Sequence, residues 1–255
     1  MIYLKSYCYS KHELPFIKAQ LDESKGHVDK FYLYEFDCTH TGAPKKFELE
    51  GYLPQDDRLV YKPVSIINRC VYSPDTEGPT HSINEPIQRS YIFNDPEVNL
   101  CDEDIIFDVD VDEIIYSSSY KKLIHECPTS IRLNQFFFKK NYLWTDCNFA
   151  SPSVYRYSDV KNTFKDVSGL RVSNQTRDLS KKTCDIHGCH MSWIMPIDCM
   201  INKLNSYSHI KYKKFADPVV LQRAVDNKQY IFDPTRSFNI EELSMEDPRI
   251  PRSLA

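Results

Sequence analysis

The order of apolar and polar positions predicts an alternation of strands and helices. Ile2-Tyr3-Leu4-Lys5-Ser6-Tyr7-Cys8 has the make-up of a strand, and Leu14, Ile17, Lys18 and Leu21 then recur at helical spacing, with Pro15 acceptable in the first turn. Phe31-Tyr32-Leu33-Tyr34-Glu35-Phe36 is a second, aromatic-rich strand. Strand, helix and strand in such close succession make a βαβ unit, which implies a parallel sheet. Val64-Ser65-Ile66-Ile67 predicts a further strand, and a loop rich in Pro, Ser, Thr and Asp runs on to Pro86. A helix over about 86–94 leads into Ile105-Ile106-Phe107, a short apolar run bounded by acids that reads as a buried strand. The later chain is β-rich: residues 131–138 and 142–144 predict strands joined by a basic turn, and one strand is expected near 169–173 in a polar, punctuated stretch. Pro196 opens a helix with Ile197, Met200, Ile201 and Leu204 on one face, and Asp217-Pro218 opens another carrying Leu221, Ala224 and Val225. From Asp233 onward the residues are polar and interrupted by Pro, which predicts a tail lying loosely on the surface. Without an internal repeat or a clear linker, the economical reading is one mixed α/β domain. Its residues 1–115 and 116–235 form two halves, and 236–255 form the tail.

The chemistry-bearing stretch is Asp104-Ile105-Ile106-Phe107-Asp108-Val109-Asp110-Val111-Asp112-Glu113. In an extended chain Asp108, Asp110 and Asp112 share a face, and with Glu113 beside them they repel one another unless a cation or donor groups neutralise them. Oxygen donors of this kind suit a hard divalent ion such as Mg²⁺ or Mn²⁺. A calcium loop of the EF-hand kind is excluded, because Glu113 and Ser119 occupy the sixth and twelfth positions counted from Asp108, where that loop needs Gly and Glu. The acids follow a buried strand, at the end where open α/β sheets place their ligands. The loop from Glu35 to Lys45 ends the second strand at the same sheet edge, and it is either a plain connection or a contact for a nucleotide. Arg89 either pairs on the surface or reaches a diphosphate with its planar fork. Trp144, Tyr155 and Tyr157 either line a pocket for sugar rings or pack the core.

Composition narrows the function classes. In 255 residues the net charge is −4 and no basic block occurs, so nothing points to nucleic acid. No run reaches the roughly 18 apolar residues of a membrane span, and the start lacks the apolar core of a signal peptide, so the expected location is cytoplasmic. The nine cysteines are expected to be mostly free thiols. Cys184, His187, Cys189 and His190 are spaced too tightly for a common structural zinc module. Asn174-Gln175-Thr176 fits a glycosylation acceptor, a frequent tripeptide that matters only in a secreted chain.

Three separated stretches together resemble a known family. Glu35-Phe36-Asp37-Cys38-Thr39-His40-Thr41-Gly42-Ala43-Pro44-Lys45 is similar to its E-s-x-x-T-x-x-G-x-x-K loop. Asp104-Ile105-Ile106 with Asp110-Val111-Asp112-Glu113-Ile114 is similar to its D-I…D-x-D-E-I-P stretch. Gly188-Cys189-His190-Met191-Ser192-Trp193 and Lys203-Leu204-x-Ser206-x-x-His209 are similar to its G-W-H-C-S-W and K-L-x-S-x-x-H segments. The family is glycosyltransferase family 17, typified by the enzyme that adds the bisecting N-acetylglucosamine to N-glycans. Ile115, Cys189 and Met191 depart from its Pro, Trp and Cys.

The resemblance implies a single GT-A-like (Rossmann-like) domain with a mixed, mostly parallel central sheet, a nucleotide-sugar-binding first half and a β-rich acceptor-side second half. It also implies inverting transfer of a sugar, GlcNAc or another hexose, from a UDP-sugar to a glycan acceptor, with Mn²⁺ or Mg²⁺. Asp110 and Asp112 are then the expected metal pair with Asp108 behind them, and His190 is a third ligand or diphosphate contact. Glu35, Thr39, Gly42 and Lys45 fall to the nucleotide and Arg89 to the diphosphate. Glu113 is the nearest candidate for the catalytic base, with Asp146, Asp185 and Asp217 as further possibilities. The alternative is a nucleotide-sugar or glycan binding protein of the same fold without turnover. A nucleotidyltransferase is a third reading, but the chain lacks the Gly-rich loop it would need after the first strand.

Overall fold

In the computed structural model, residues 1–66, 84–147, 149–167, 169–172, 179, 181–206, 209–233 and 235–255 are described. The N-terminal pattern folds as expected: β1 (Ile2–Cys8), α1 (Leu14–Glu23) and β2 (Lys30–Phe36) form a βαβ unit in which Leu4 pairs with Phe31 and Cys8 with Glu35 in parallel. α1 starts on Leu14-Pro15, where the missing proline N–H costs nothing, and it buries Ile17 and Leu21 against the sheet. β3 (Leu59–Val64) adds to the edge, parallel to β2. The expected strand at 64–67 thus lies earlier, because Leu59, Val60 and Tyr61 supply the pairing; Ile67 lies outside the described residues.

α2 (Asn84–Arg89) is shorter than expected and gives way to a 3-10 turn at Tyr91–Phe93. It leads to β4 (Ile105–Asp108), which pairs in parallel with β1 on the side away from β2. β5 (Glu113–Ile115) and α3 (Tyr120–Glu126) follow, then β6 (Thr129–Phe137), β7 (Tyr142–Trp144), β8 (Ser153–Arg156) and the short α4 (Tyr157–Val160). β9 (Lys165–Val167) and β10 (Leu170–Val172) form a separate hairpin where one strand was expected. The tripeptide 174–176 lies outside the described residues. β11 (Lys182–Ser192) is followed by α5 (Ile197–Ser206), α6 (Pro218–Asp226) and β12 (Ile240–Glu242).

Among the described residues ten strands form one sheet with the path β12-β7-β6-β8-β4-β1-β2-β3, and β11 joins through β6 and β5. The half from β3 to β4 is parallel, whereas β8 runs antiparallel to β4 and β6 antiparallel to β8 and β7. The protein is therefore mixed α/β with a curled central sheet, compatible with a Rossmann-like arrangement. The C-terminal stretch is anchored rather than loose, since β12 pairs with β7, and Ile250 and Leu254 are buried against Phe16 and Ala19 of α1. Among the described residues no helix is long and apolar enough to cross a membrane, and the described cysteines are free thiols.

Candidate functional site

The strand order creates a crevice at a definite place. From β1 the chain builds outward through β2 and β3, then returns to place β4 on the other flank of β1. The helical connections therefore part beyond the carboxyl ends of β1 and β4, the position where open α/β sheets hold ligands. A cleft of about 320 Å³ lies there, and its walls include Tyr7 and Tyr9 from the end of β1 and Asp110, Asp112 and Glu113 from the turn after β4.

The acidic turn is fixed from three sides. Ser6 Oγ donates to Val109 O, and Gln20 Nε2 from α1 donates to both Asp110 O (2.8 Å) and Glu113 O (3.1 Å). From β11, Met191 N donates to Asp112 O at 2.7 Å. Within the turn, Asp110 N donates to the Glu113 carboxylate at 2.6 Å and Glu113 N to Asp110 O at 2.9 Å. The turn also explains why the three aspartates do not share a face. β4 ends at Asp108, so alternation stops there, and Asp108 turns into the core, where Lys5 Nζ donates to it at 2.6 Å and Tyr155 Oη at 3.1 Å. Lys5 and Asp108 are both fully buried, so Asp108 is spent on an internal ion pair.

His190 reaches the cleft because β11 pairs antiparallel with β5, with His190 opposite Glu113. Its Nδ1 lies 2.9 Å from Gln135 Oε1, which leaves Nε2 facing Asp112 Oδ2 at 3.6 Å. Phe149 packs on the imidazole at 4.1 Å between ring centres. On the opposite side Arg89 bonds Asp110 through Nη1 and Glu85 through Nε (3.1 Å) and Nη2 (2.9 Å), with its guanidinium 5.2 Å over the Tyr7 ring.

These neighbours split the carboxylates electrostatically. Burial pushes Asp110 up to about 6 and the charge of Asp112 adds to this, against the pull of Arg89. Burial acts on Asp112 in the same direction, but His190 and Lys203 outweigh it and hold that carboxyl down at about 2. Glu113 is pushed well above the usual carboxylate range by burial and by the charges of Asp110 and Asp112, against the pull of Arg89.

Of the residues expected from sequence, Asp110, Asp112, Glu113, Arg89 and His190 meet in this cleft. Glu35, Thr39, Gly42 and Lys45 do not line it. The buried Glu35 carboxylate accepts from Lys45 Nζ (2.9 Å), Glu48 N (2.7 Å), Leu49 N (3.2 Å) and Tyr61 Oη (2.7 Å), and so ties the loop after β2 to the sheet. Thr39 and Gly42 make the turn of that loop, with Gly42 at φ 84° and its N–H donating to Thr39 O, and the residue of this loop that faces the cleft is His40. Asp146 is exposed and accepts from Asn239 N and Nδ2, which fastens the β7–β12 connection outside the cleft. Asp185 is exposed beside Lys122, and Asp217 caps the N-terminus of α6. Trp144, Tyr155 and Tyr157 pack into aromatic clusters away from the cleft; its aromatic walls are Tyr7, Tyr9, Phe149 and Trp193. Lys203, Ser206 and His209, which sequence reasoning quoted without a role, line the cleft as well. Tyr7, Tyr9, Glu13, Glu85 and Phe149 carry no sequence signal, since strand ends and loops owe their position to the sheet order.

Asp110 and Asp112 offer the oxygen donors that Mg²⁺ and Mn²⁺ take. Among the described residues no group of three or more His, Cys, Asp and Glu side chains is arranged to hold a metal ion. An ion held by only two protein carboxylates takes its other ligands from water or from phosphate oxygens, the usual habit of Mg²⁺ at nucleotide sites. No protein-family model matches the chain, and no curated protein matches it.

Proposed function

We propose that this chain is a metal-dependent inverting glycosyltransferase of GT-A type, similar to family 17, that moves a hexose or N-acetylhexosamine from a UDP-sugar to a glycan acceptor. One observation carries the reading: residues of two stretches far apart in sequence, Asp110 and Asp112 in one, His190, Trp193, Lys203, Ser206 and His209 in the other, line one cleft at the switch point of the sheet. The protein's own groups have divisible roles there. Asp110 and Asp112 hold the cation, with Asp112 the more strongly ionised of the two. When bound, that cation neutralises the charge developing on the departing diphosphate. His190 is oriented by Gln135 toward Asp112 and steadies it. Glu113, whose raised proton affinity suits a base, takes the proton of the acceptor hydroxyl once it is itself ionised. Tyr7, Phe149 and Trp193 supply the aromatic wall of the cleft, with Tyr7 under Arg89 and Phe149 against His190.

The test is release of UDP from a panel of UDP-sugars with Mn²⁺. Asp112→Asn is expected to lower turnover by roughly a hundredfold or more, the scale of losing a principal electrostatic contact, with the melting temperature held. Undiminished turnover in that variant sinks the metal assignment. The second reading is a carrier that binds the same ligand without turnover. It is favoured by the bond from Arg89 Nη1 to Asp110, which engages one of the two proposed metal carboxylates inside the protein. A chain that binds UDP-sugars and releases no UDP is that carrier.

A further inference from the structure

Among the described residues the cleft is lined by two basic side chains of lysine or arginine, Arg89 and Lys203, and they are not in the same situation. Arg89 is committed: three of its nitrogens bond Glu85 and Asp110, and its planar face lies on Tyr7. For Arg89 to grip an incoming anion it would have to give up a two-carboxylate clamp inside a half-buried wall. Lys203 forms no ion pair among the described residues. Its Nζ stands 5.2 Å over the Trp193 ring, a contact that orients an ammonium without neutralising it. The field of Lys203 nevertheless enters the cleft, since it is among the groups that lower both Asp112 and His40.

The backbone is arranged to keep that ammonium in place. Trp193 sits at φ 59°, a left-handed conformation that a bulky side chain adopts only when its surroundings enforce it. Lys203 lies on α5 one turn before Ser206, so both project from the same helix face and line the cleft. Lys203 thus brings to the cleft a positive charge that no ion pair among the described residues takes up.

We propose that Lys203, rather than Arg89, is the cation that receives the anionic part of the ligand, a diphosphate, while Arg89 only positions Asp110. This rests on the nucleotide-sugar reading above and assigns within it a contact that the sequence suggested for Arg89. The ligand then spans the cleft, with its phosphates between Asp112 on one side and the α5 wall on the other. A charge-assisted contact of this kind contributes roughly ten- to a hundredfold in affinity.

The experiment compares binding of inorganic pyrophosphate, UDP and uridine, each with Mn²⁺, by calorimetry to the wild type, Lys203→Met, Lys203→Arg and Arg89→Met, with melting temperatures recorded for all four. Lys203→Met is expected to weaken pyrophosphate and UDP by roughly ten- to a hundredfold and to leave uridine unchanged, and Lys203→Arg to recover most of the loss. Pyrophosphate binding that survives Lys203→Met but is lost in Arg89→Met overturns the proposal, as does equal UDP affinity in Lys203→Met and the wild type. Either result leaves the nucleotide-sugar reading standing if the wild type prefers UDP to uridine. A wild type that binds UDP no better than uridine, and pyrophosphate not at all, overturns both.

Discussion

A single residue of the cleft wall records its environment in its proton affinity. His40 is buried on the loop after β2, with its ring 5.6 Å from that of Tyr7. Burial pulls it from the ordinary histidine value down to about 4; Arg89, Lys203 and His209 reinforce the effect and Glu85 opposes it. The folded state therefore binds its proton less tightly than the unfolded chain does. Its contribution to stability is complete above about pH 6.5 and is lost as the pH falls toward 4, because only the unfolded chain is protonated across that window. At about 1.4 kcal/mol per unit the whole window is worth about 3 kcal/mol. Urea unfolding of the wild type and of His40→Gln at pH 7 and pH 4.5 measures this. Acidification is expected to cost the wild type about 2–3 kcal/mol more than the variant, and parallel losses in the two proteins would contradict the account.

At the scale of elements, the junction of β5 with β11 sets the geometry of the acids. Gly188 pairs with Ile115, and a Cβ at this position would lie 2.1 Å from Ile114 O and 2.9 Å from Leu133 Cδ2. The backbone carbonyl cannot swing aside as a side-chain end can, so only glycine lets the two strands approach this closely. Gly188→Ala is expected to force β5 away from β11, costing roughly 1–3 kcal/mol, and to shift Asp112 from His190, since Asp112 immediately precedes β5. Denaturant unfolding reads the first effect. The second appears as a weakened response of the His190 proton resonances to Mn²⁺ in the variant.

The same junction shows what sequence could and could not convey. Ile2 to Cys8 and Tyr142 to Trp144 were legible as strands because their apolar content matches their burial, and α1, α5 and α6 because a Pro marks where each begins. The extent of β11, at 11 residues, is not legible in the pattern, because Lys182, Cys184, Asp185 and Ile186 on its first half are exposed and its burial departs from alternation. Asp110 and Asp112 were legible as a pair, yet the inward turn of Asp108 onto Lys5 was not, since pairing across β1 and β4 is a long-range event. Glu35 and Lys45 matched a motif by residue type, and the fold uses them on each other.

Across the whole molecule, the C-terminal stretch joins the cluster that packs α1 against β5 and β11. α1 turns Ile17 and Leu21 to one core cluster, whereas Phe16 and Ala19 share another with Ile114, Cys189 and Met191 of the sheet and with Ile250 and Leu254. Those two side chains lie in a polar, Pro-interrupted context that carries no periodicity, and this is why the pattern alone predicted a loose tail. Tyr116 Oη, which donates to Arg249 O at 2.7 Å, and Lys140 Nζ, which donates to Leu254 O at 2.9 Å, fasten the segment to the turn after β5 and to the β6–β7 connection. The same α1 carries Gln20, whose amide holds the acidic turn, so the tail supports the cleft through the helix it covers. Leu254→Ala removes a fully buried side chain at this contact and is expected to cost roughly 2–4 kcal/mol, whereas the same change at an exposed apolar site such as Val219 should cost under about 0.5 kcal/mol. Guanidinium unfolding of the two variants measures the difference, and hydrogen exchange of α1 amides places it. Faster exchange in α1 for Leu254→Ala is the expected outcome, whereas a stability equal to that of Val219→Ala would mean that the tail rests on the molecule without holding it together.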